Sequence, residues 1–199
     1  MARHKAFDPQ AALAKALDIF WHQGYEGTSM QDLVVHMGIS RSSLYDTFGD
    51  KRGLFLAVLA YYEQEVVSQL LAPLKHPGTP RQQIRQVFYQ AIDMALTDSL
   101  RQGCLICNTA VELGPHDHDI TARVASNLAR IEAAFAATLT HAHTTDEIKT
   151  PYQPRALARY LTNSLVGLRV LAKVLPSRAT LEEIVEVTLA VLTCPQHKP

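Results

Sequence analysis

Between Thr28 and Lys51 the chain reads TSMQDLVVHMGISRSSLYDTFGDK, and the side chains able to do chemistry stand close together there. Thr28, Arg41, Ser42, Ser43, Tyr45, Thr47 and Lys51 supply hydroxyls, a guanidinium and an ammonium. That set suits hydrogen bonding to the base edges and phosphates of duplex DNA. Arg41 suits a base edge or a phosphate, and Tyr45 and Lys51 suit phosphates. Asp46 lies among them; it repels phosphate but can accept from a cytosine amino group. A second group is Cys104-Leu-Ile-Cys107, which follows Gly103 at an expected helix start, a setting that lowers a thiol pKa. Three readings of Cys104 stand open. It is a small packing residue, a reactive thiol, or a soft metal ligand with Cys107, His116 and His118, although their spacing matches no zinc signature. There is no G-x-S-x-G, no Gly-rich phosphate loop, no H-E-x-x-H and no Glu-x-x-His pair. No catalytic residue, metal site or cofactor is therefore assigned.

The elements that must hold these groups are helices. Asp8-Pro9 caps a first helix whose apolar face is Leu13, Leu17, Phe20 and Trp21, at i, i+4, i+7 and i+8. Gly24 stops it. Thr28 or Ser29 caps a second helix carrying Met30, Leu33, Val34 and Met37, closed by Gly38. Ser40 caps a short third helix holding Leu44, Tyr45 and Phe48. A helix, a glycine turn and a short polar helix follow helix-turn-helix logic, with Ile39 filling the angle. Beyond Gly49-Asp50 the spacing predicts a long helix through Phe55, Leu59, Tyr62, Val66 and Leu70, then one through Ile84, Phe88, Ala91 and Ala95. A short helix after Gly103 and a long one through Ile120, Val124, Leu128, Ile131, Phe135 and Leu139 follow. His141 to Pro154 reads as loop, and two helices close the chain. No period-2 strand and no repeat is visible.

Composition sets the bounds. The 199 residues are 47% hydrophobic and 19% charged, enough for a core and unlike disorder. Lys plus Arg and Asp plus Glu are 19 each, so the net charge is +0 and nucleic-acid binding requires a local patch. Residues 1–52 hold Arg3, Lys5, Lys15, Arg41, Lys51 and Arg52 against Asp8, Asp18, Glu26, Asp32, Asp46 and Asp50. Arg3, Lys5, Arg41, Lys51 and Arg52 are therefore expected to cluster. No membrane span or secretory signal is visible, and three cysteines fit reduced thiols in a cytoplasm.

Residues 11 to 55 resemble the DNA-binding domain of the TetR/AcrR family of bacterial regulators. Phe20, Gly24, Tyr25, Gly27, Thr28, Gly38, Ile39, Leu44, Tyr45, Phe48, Lys51 and Leu54 fall on the family pattern in register. Departures are Val34-Val35, where a small alanine is common, and Thr47, where His or Tyr is usual. The resemblance implies an all-α chain: residues 1–52 a three-helix helix-turn-helix domain, residues 53–199 a helical effector-binding and dimerisation domain. It implies a homodimer on a near-palindromic double-stranded operator, with a repressor released by an unidentified small molecule as the expected function. Thr28, Arg41, Ser42, Ser43, Tyr45, Thr47 and Lys51 would line the DNA side.

In the second domain, Gly103, Cys104, Leu105, Asn108 and Glu112 resemble a subset of that family with a G-C-L-x-x-N-x-x-x-E segment. Some of that subset resemble electrophile or oxidant sensors. A thiol sensor acting through Cys104 is thus the alternative, and a helical metal-binding or interaction protein the other class. An apolar effector pocket between helices draws its candidates from Phe88, Tyr89, Ile92, Met94, Cys104, Cys107, Asn108, Glu112, Phe135 and Asn163, with Asn108 and Glu112 as polar anchors. The last two helices are apolar on two sides. Leu165, Val166, Val170, Val174, Ile184 and Val191 are expected at an isologous dimer interface.

Overall fold

The computed structural model describes residues 7–97, 102–145, 147–148 and 150–193, and its regular elements among these are all helical. Three helices come first: α1 (Pro9–Gln23), α2 (Met30–Met37) and α3 (Arg41–Phe48). Each starts on a side-chain cap that satisfies otherwise orphaned backbone donors. Asp8 accepts from the amide of Gln10 at 2.9 Å. Ser29 and Asp32 form a reciprocal capping box, Ser29 Oγ accepting from the Asp32 amide and Asp32 from the Ser29 amide. Ser40 accepts from the Ser43 amide at 3.1 Å. Between α2 and α3 the chain reverses at Gly38, which is left-handed at φ +70°.

α4 (Lys51–Tyr62), capped by Asp50, runs from these helices into the rest of the chain. The spacing predicts one helix from Phe55 to Leu70, whereas α4 gives way to a π-helical turn at Glu63–Val67 before a short α5 (Ser68–Leu71) and a 3-10 turn at Ala72–Lys75. The Glu63 carbonyl accepts from Ser68 Oγ at 3.1 Å and from Arg130 Nη1 at 3.0 Å. Those donors hold the carbonyl within the wider turn.

The larger body comprises α6 (Pro80–Thr97), α7 (Leu105–Glu112), α8 (His118–Thr144), α9 (Pro154–Val174) and α10 (Arg178–Ala190). α8 and α9 make the most extensive helix pairing, and α6 packs on both and on α10. Phe88, Ile92, Phe135, Leu139, Leu161, Leu165 and Leu168 fill the centre. α8 outlasts the sequence expectation, because His141 to Thr144 are helical. Ala142 is fully buried there, and His141 and His143 occupy the last turn, where imidazoles suit the helix dipole.

At Gly38 a Cβ would meet only Lys15 Nζ, at 3.6 Å. The cost of a side chain is therefore the left-handed backbone alone. Gly38→Ala is expected to lower stability by about 1–2 kcal/mol, and Gly38→Asn by less, in urea denaturation followed by circular dichroism. Equal midpoints for all three proteins would contradict this.

Candidate functional site

The polar surface of the first three helices centres on α3. Leu44 points inward and is fully buried, which turns Arg41, Ser42, Tyr45 and Asp46 to solvent. Arg41 lies one turn before Tyr45, its guanidinium carbon 5.8 Å from the ring centroid. Ser40 Oγ lies 3.0 Å from Ser42 Oγ and donates to Ser43 Oγ at 2.8 Å, which orients both hydroxyls. Thr47 is half-buried. Lys51, at the start of α4, sets its ammonium 4.3 Å from the Tyr25 ring centroid. Arg41, Ser42, Ser43, Tyr45, Thr47 and Lys51 thus lie on α3 or the first residue of α4.

Two sequence expectations change. Thr28 is not on this surface: it is fully buried, and its hydroxyl donates to the Gly24 carbonyl at 2.7 Å, closing the turn between α1 and α2. Arg52 is not a free cation. Its Nε and Nη2 grip both oxygens of Asp117 at 2.7 and 3.0 Å, and Nη2 also reaches Asp119 at 2.6 Å. Arg3 and Lys5 lie outside the described residues.

The Arg52 grip, at the start of α4, fastens the DNA-binding end of the chain to the larger body. A second fastening is Glu112, at the end of α7. Its carboxylate accepts from the backbone amides of Tyr25 at 3.0 Å and Glu26 at 2.8 Å. Gly24 makes this approach possible, since a Cβ there would stand 3.0 Å from Glu112 Oε1 and the backbone is left-handed at φ +78°. Glu112 was expected to anchor an effector, but it faces outward onto the α1–α2 turn. An aromatic seam backs the junction. Phe20 and Tyr25 flank Phe55 at 4.9 and 5.0 Å between centroids, and Trp21 meets Tyr62 edge-on at 5.2 Å.

Behind α7 lies a buried polar cluster. Arg169 of α9, 7% exposed, donates through Nη2 to Tyr62 Oη at 2.9 Å and through Nη1 to Cys104 Sγ at 3.4 Å. Tyr62 Oη also lies 3.9 Å from that sulfur. The Cys107 hydrogen bond, aided by Arg169 and Tyr62, holds the Cys104 thiol well below the usual thiol range against its burial. Donating to Cys104, and burial, push Cys107 up. Asn108 is drawn instead to the Gln102 carbonyl, at 3.0 Å. Among the described residues no three His, Cys, Asp or Glu side chains gather as a metal site, so His116 and His118 do not join the cysteines.

The expected effector residues Phe88 and Phe135 are buried and stacked on each other, 6.2 Å between centroids. They are core packing, and Asn163 is exposed. One recess lies nearer the junction. A cavity of about 180 Å³ is lined by Trp21, Met94, Ala95, Gln102, Gly103 and Arg169. Trp21 and Arg169 escaped sequence reasoning. A signal for Arg169 existed: it is a cation inside the apolar arc of Leu165, Leu168 and Ala172.

On the far side, α9 and α10 expose apolar side chains. Val170 and Val174 are bare, the latter 66% exposed, as are Leu175 and, on α10, Val187 at 72%. Val166, Ile184 and Val191 are half-buried, and Val191 lies toward the start of α9, beside Leu157 and Tyr160. Leu165, expected on this face, is 1% exposed and belongs to the core, because it follows the Leu161 and Leu168 register. Among the described residues no helix is long and apolar enough to cross a membrane.

Comparison with known proteins agrees with this geometry. Residues 12–58 match the family described as bacterial regulatory proteins, tetR family, and residues 80–188 match the tetracyclin repressor-like C-terminal domain. The uncharacterised HTH-type transcriptional regulator YezE of Bacillus subtilis is 36% identical over 193 residues, 96% of this chain and 100% of YezE. The HTH-type transcriptional repressor ComR of Escherichia coli is 31% identical over 93% of this chain and 87% of its own. Among solved structures, a cysteine-substituted form of the TetR family regulator CifR, complexed with a 26 bp double-strand operator, superposes with a TM-score of 0.85 at 28% identity, covering 94% of this chain and 98% of that one.

The Arg52 guanidinium beside Asp117 holds that carboxyl below the usual carboxylate range, helped by the Ile120 amide. A depressed native pKa contributes stability that is fully present above the ordinary carboxylate value, near 4, and is lost as pH falls through the native one. Asp117→Asn is therefore expected to be less stable than the wild type at pH 7 and to lose less stability on acidification. Urea midpoints at pH 7 and pH 3 check this. A parallel fall in both proteins would show that the pair contributes nothing to the pH dependence.

Proposed function

The chain belongs to the TetR family of bacterial regulatory proteins, and from that premise we propose a homodimeric repressor whose two α3 helices enter successive major grooves of a near-palindromic operator. It is a DNA-binding transcriptional regulator, not an enzyme. The observation that carries the residue-level reading is the exposed polar face of α3, with Arg41, Ser42 and Tyr45 outward around the buried Leu44. In this reading Arg41 meets a base edge or phosphate, Tyr45 and Lys51 meet phosphates, and Ser42, Ser43 and Thr47 add hydrogen bonds. Gly38 and the Ser40 cap aim the helix. Operator half-sites about one helical turn apart, or slightly more, fit two such helices related by a two-fold axis.

The bare stripe of Val170, Val174 and Val187 supports the dimer, since an exposed apolar face of this kind marks an association surface. The proposed interface also takes in Val166, Ile184 and Val191. Release follows from the fastenings at Glu112 and Arg52. A small molecule that binds better to the DNA-incompetent arrangement would shift α7 and the start of α8, and with them the α3 separation. The burial of Cys104 among Tyr62, Cys107 and Arg169 favours a bound molecule over direct attack on the sulfur.

Two outcomes test this. In fluorescence anisotropy with duplex from the protein's own upstream region, Tyr45→Ala is expected to weaken binding to every sequence. Arg41→Ala is expected to cost about 1–3 kcal/mol and to relax base preference at one position. Wild-type protein that ignores this duplex at low salt would refute the reading. In sedimentation, Val170→Asp with Val174→Asp is expected to yield monomers that bind operator poorly, because unpaired charge would be buried at the interface. A wild type that is monomeric at micromolar concentration would refute the dimer.

A further inference from the structure

The cavity at the junction has an unusual wall. Trp21, from α1 of the DNA-binding helices, forms one side, and Arg169, from α9, another. Gln102 and Gly103, just before α7, and Met94 and Ala95, on α6, complete it. Met94, Ala95 and the indole are apolar. The wall carries two donors, the guanidinium and the indole Nε1, the latter buried without a hydrogen-bond partner among the described residues, while the Gln102 and Gly103 carbonyls already accept from Asn108 and Arg169. Lys173, one turn beyond Arg169, lies along Gly103, where a Cβ would come 3.2 Å from its Cδ. The carboxylate nearest along the chain is Asp93 of α6, and it is paired to Arg178.

Arg169 is nearly enclosed, and its partners among the described residues are the Tyr62 hydroxyl, the Gly103 carbonyl and the Cys104 sulfur, which the same contacts draw toward the thiolate; none is a carboxylate. A guanidinium has five N–H donors in a planar fork that matches a carboxylate through two parallel bonds. Here the fork is split among three separate acceptors, with no pair of parallel bonds to one group. A sulfur satisfies a guanidinium fork less completely than a carboxylate does, and Trp21 Nε1 has no acceptor at all, so the site still rewards an incoming carboxylate.

The geometry points to this cavity as the binding site for a small organic monocarboxylate, its acid group on Arg169 and Trp21 Nε1 and its apolar body against Met94 and Ala95. Such a ligand touches both ends of the interdomain linkage. Trp21 belongs to α1, and Gln102 and Gly103 lead into α7, whose last residue holds the Tyr25 and Glu26 amides. Its role as effector rests on the repressor reading above; its binding does not.

Trp21 is the one tryptophan of the chain, so its emission reports the cavity directly. Butyrate, benzoate and phenylacetate are titrated into the full-length protein without DNA, each beside its neutral amide. Saturable change in emission with at least one acid, at about tenfold or more lower concentration than with its amide, is expected from a charge-assisted pair. Arg169→Met should abolish the difference. Lys173→Met, which leaves the core intact, should reduce it while keeping the wild-type unfolding midpoint. Equal responses to acid and amide, or none to any acid, would overturn the site, and that contrast in the wild type does not depend on a variant folding. A second arm adds operator duplex. An acid that binds but does not lower operator affinity removes the effector role alone. Failure to bind operator without any acid refutes the repressor reading and leaves the site standing.

Discussion

The structure turns on two carboxylates that reach from the regulatory body to the DNA-binding helices. Glu112 supplies acceptors to two backbone amides of the α1–α2 turn. Asp117 caps α8 through the Asp119 and Ile120 amides and at the same time holds Arg52 at the start of α4. The residues between them, 113–116, are the short connection between α7 and α8, so both fastenings flank one segment. The α3 helix has no fastening of its own to the regulatory body among the contacts described. Its position is inherited from α1, α2 and α4 through the Phe20, Tyr25 and Phe55 seam.

This division explains what the sequence made legible. Caps at Asp8, Ser29, Ser40 and Asp50 and the reversal at Gly38 are local, each using partners within a few residues, so residue type and spacing reveal them. The interdomain partners are 65 to 87 positions apart, and periodicity carries no record of them. Thr28 shows the same limit at close range. A threonine before a polar helix looks like a surface donor, and only the folded turn reveals that its hydroxyl is spent on the Gly24 carbonyl. The stripe pattern points Leu165 outward, but α9 is apolar on two arcs, and periodicity alone does not say which arc faces the core. Glu112 and Asn108 share a helix face by spacing, yet one leaves for the α1–α2 turn and the other for the Gln102 carbonyl.

α9 then connects three surfaces that the sequence presents separately. Leu161, Leu165, Leu168 and Ala172 bury against the core. Val170 and Val174 are turned outward, where a second copy would cover them. Arg169, between these arcs, meets Tyr62 at the end of α4 and Cys104 at the start of α7. One helix thus carries the core, an exposed apolar face and the cavity cation.

Energetic scale decides whether so small a linkage suffices. Coupling between an effector and DNA is typically about 1–3 kcal/mol, a change of roughly 5- to 150-fold in affinity. A junction resting on a broad apolar interface would require disruption of many contacts for that change, because packed cores do not deform gradually. Here the polar fastenings are few and partly solvated, at Arg52, Asp117 and Glu112, so each can be exchanged for water at modest cost. The aromatic seam keeps α1 and α4 together as one unit while that exchange occurs. The junction thus combines two kinds of contact: a buried aromatic seam that is costly to disturb, and a few partly solvated charged hydrogen bonds that are cheap to exchange.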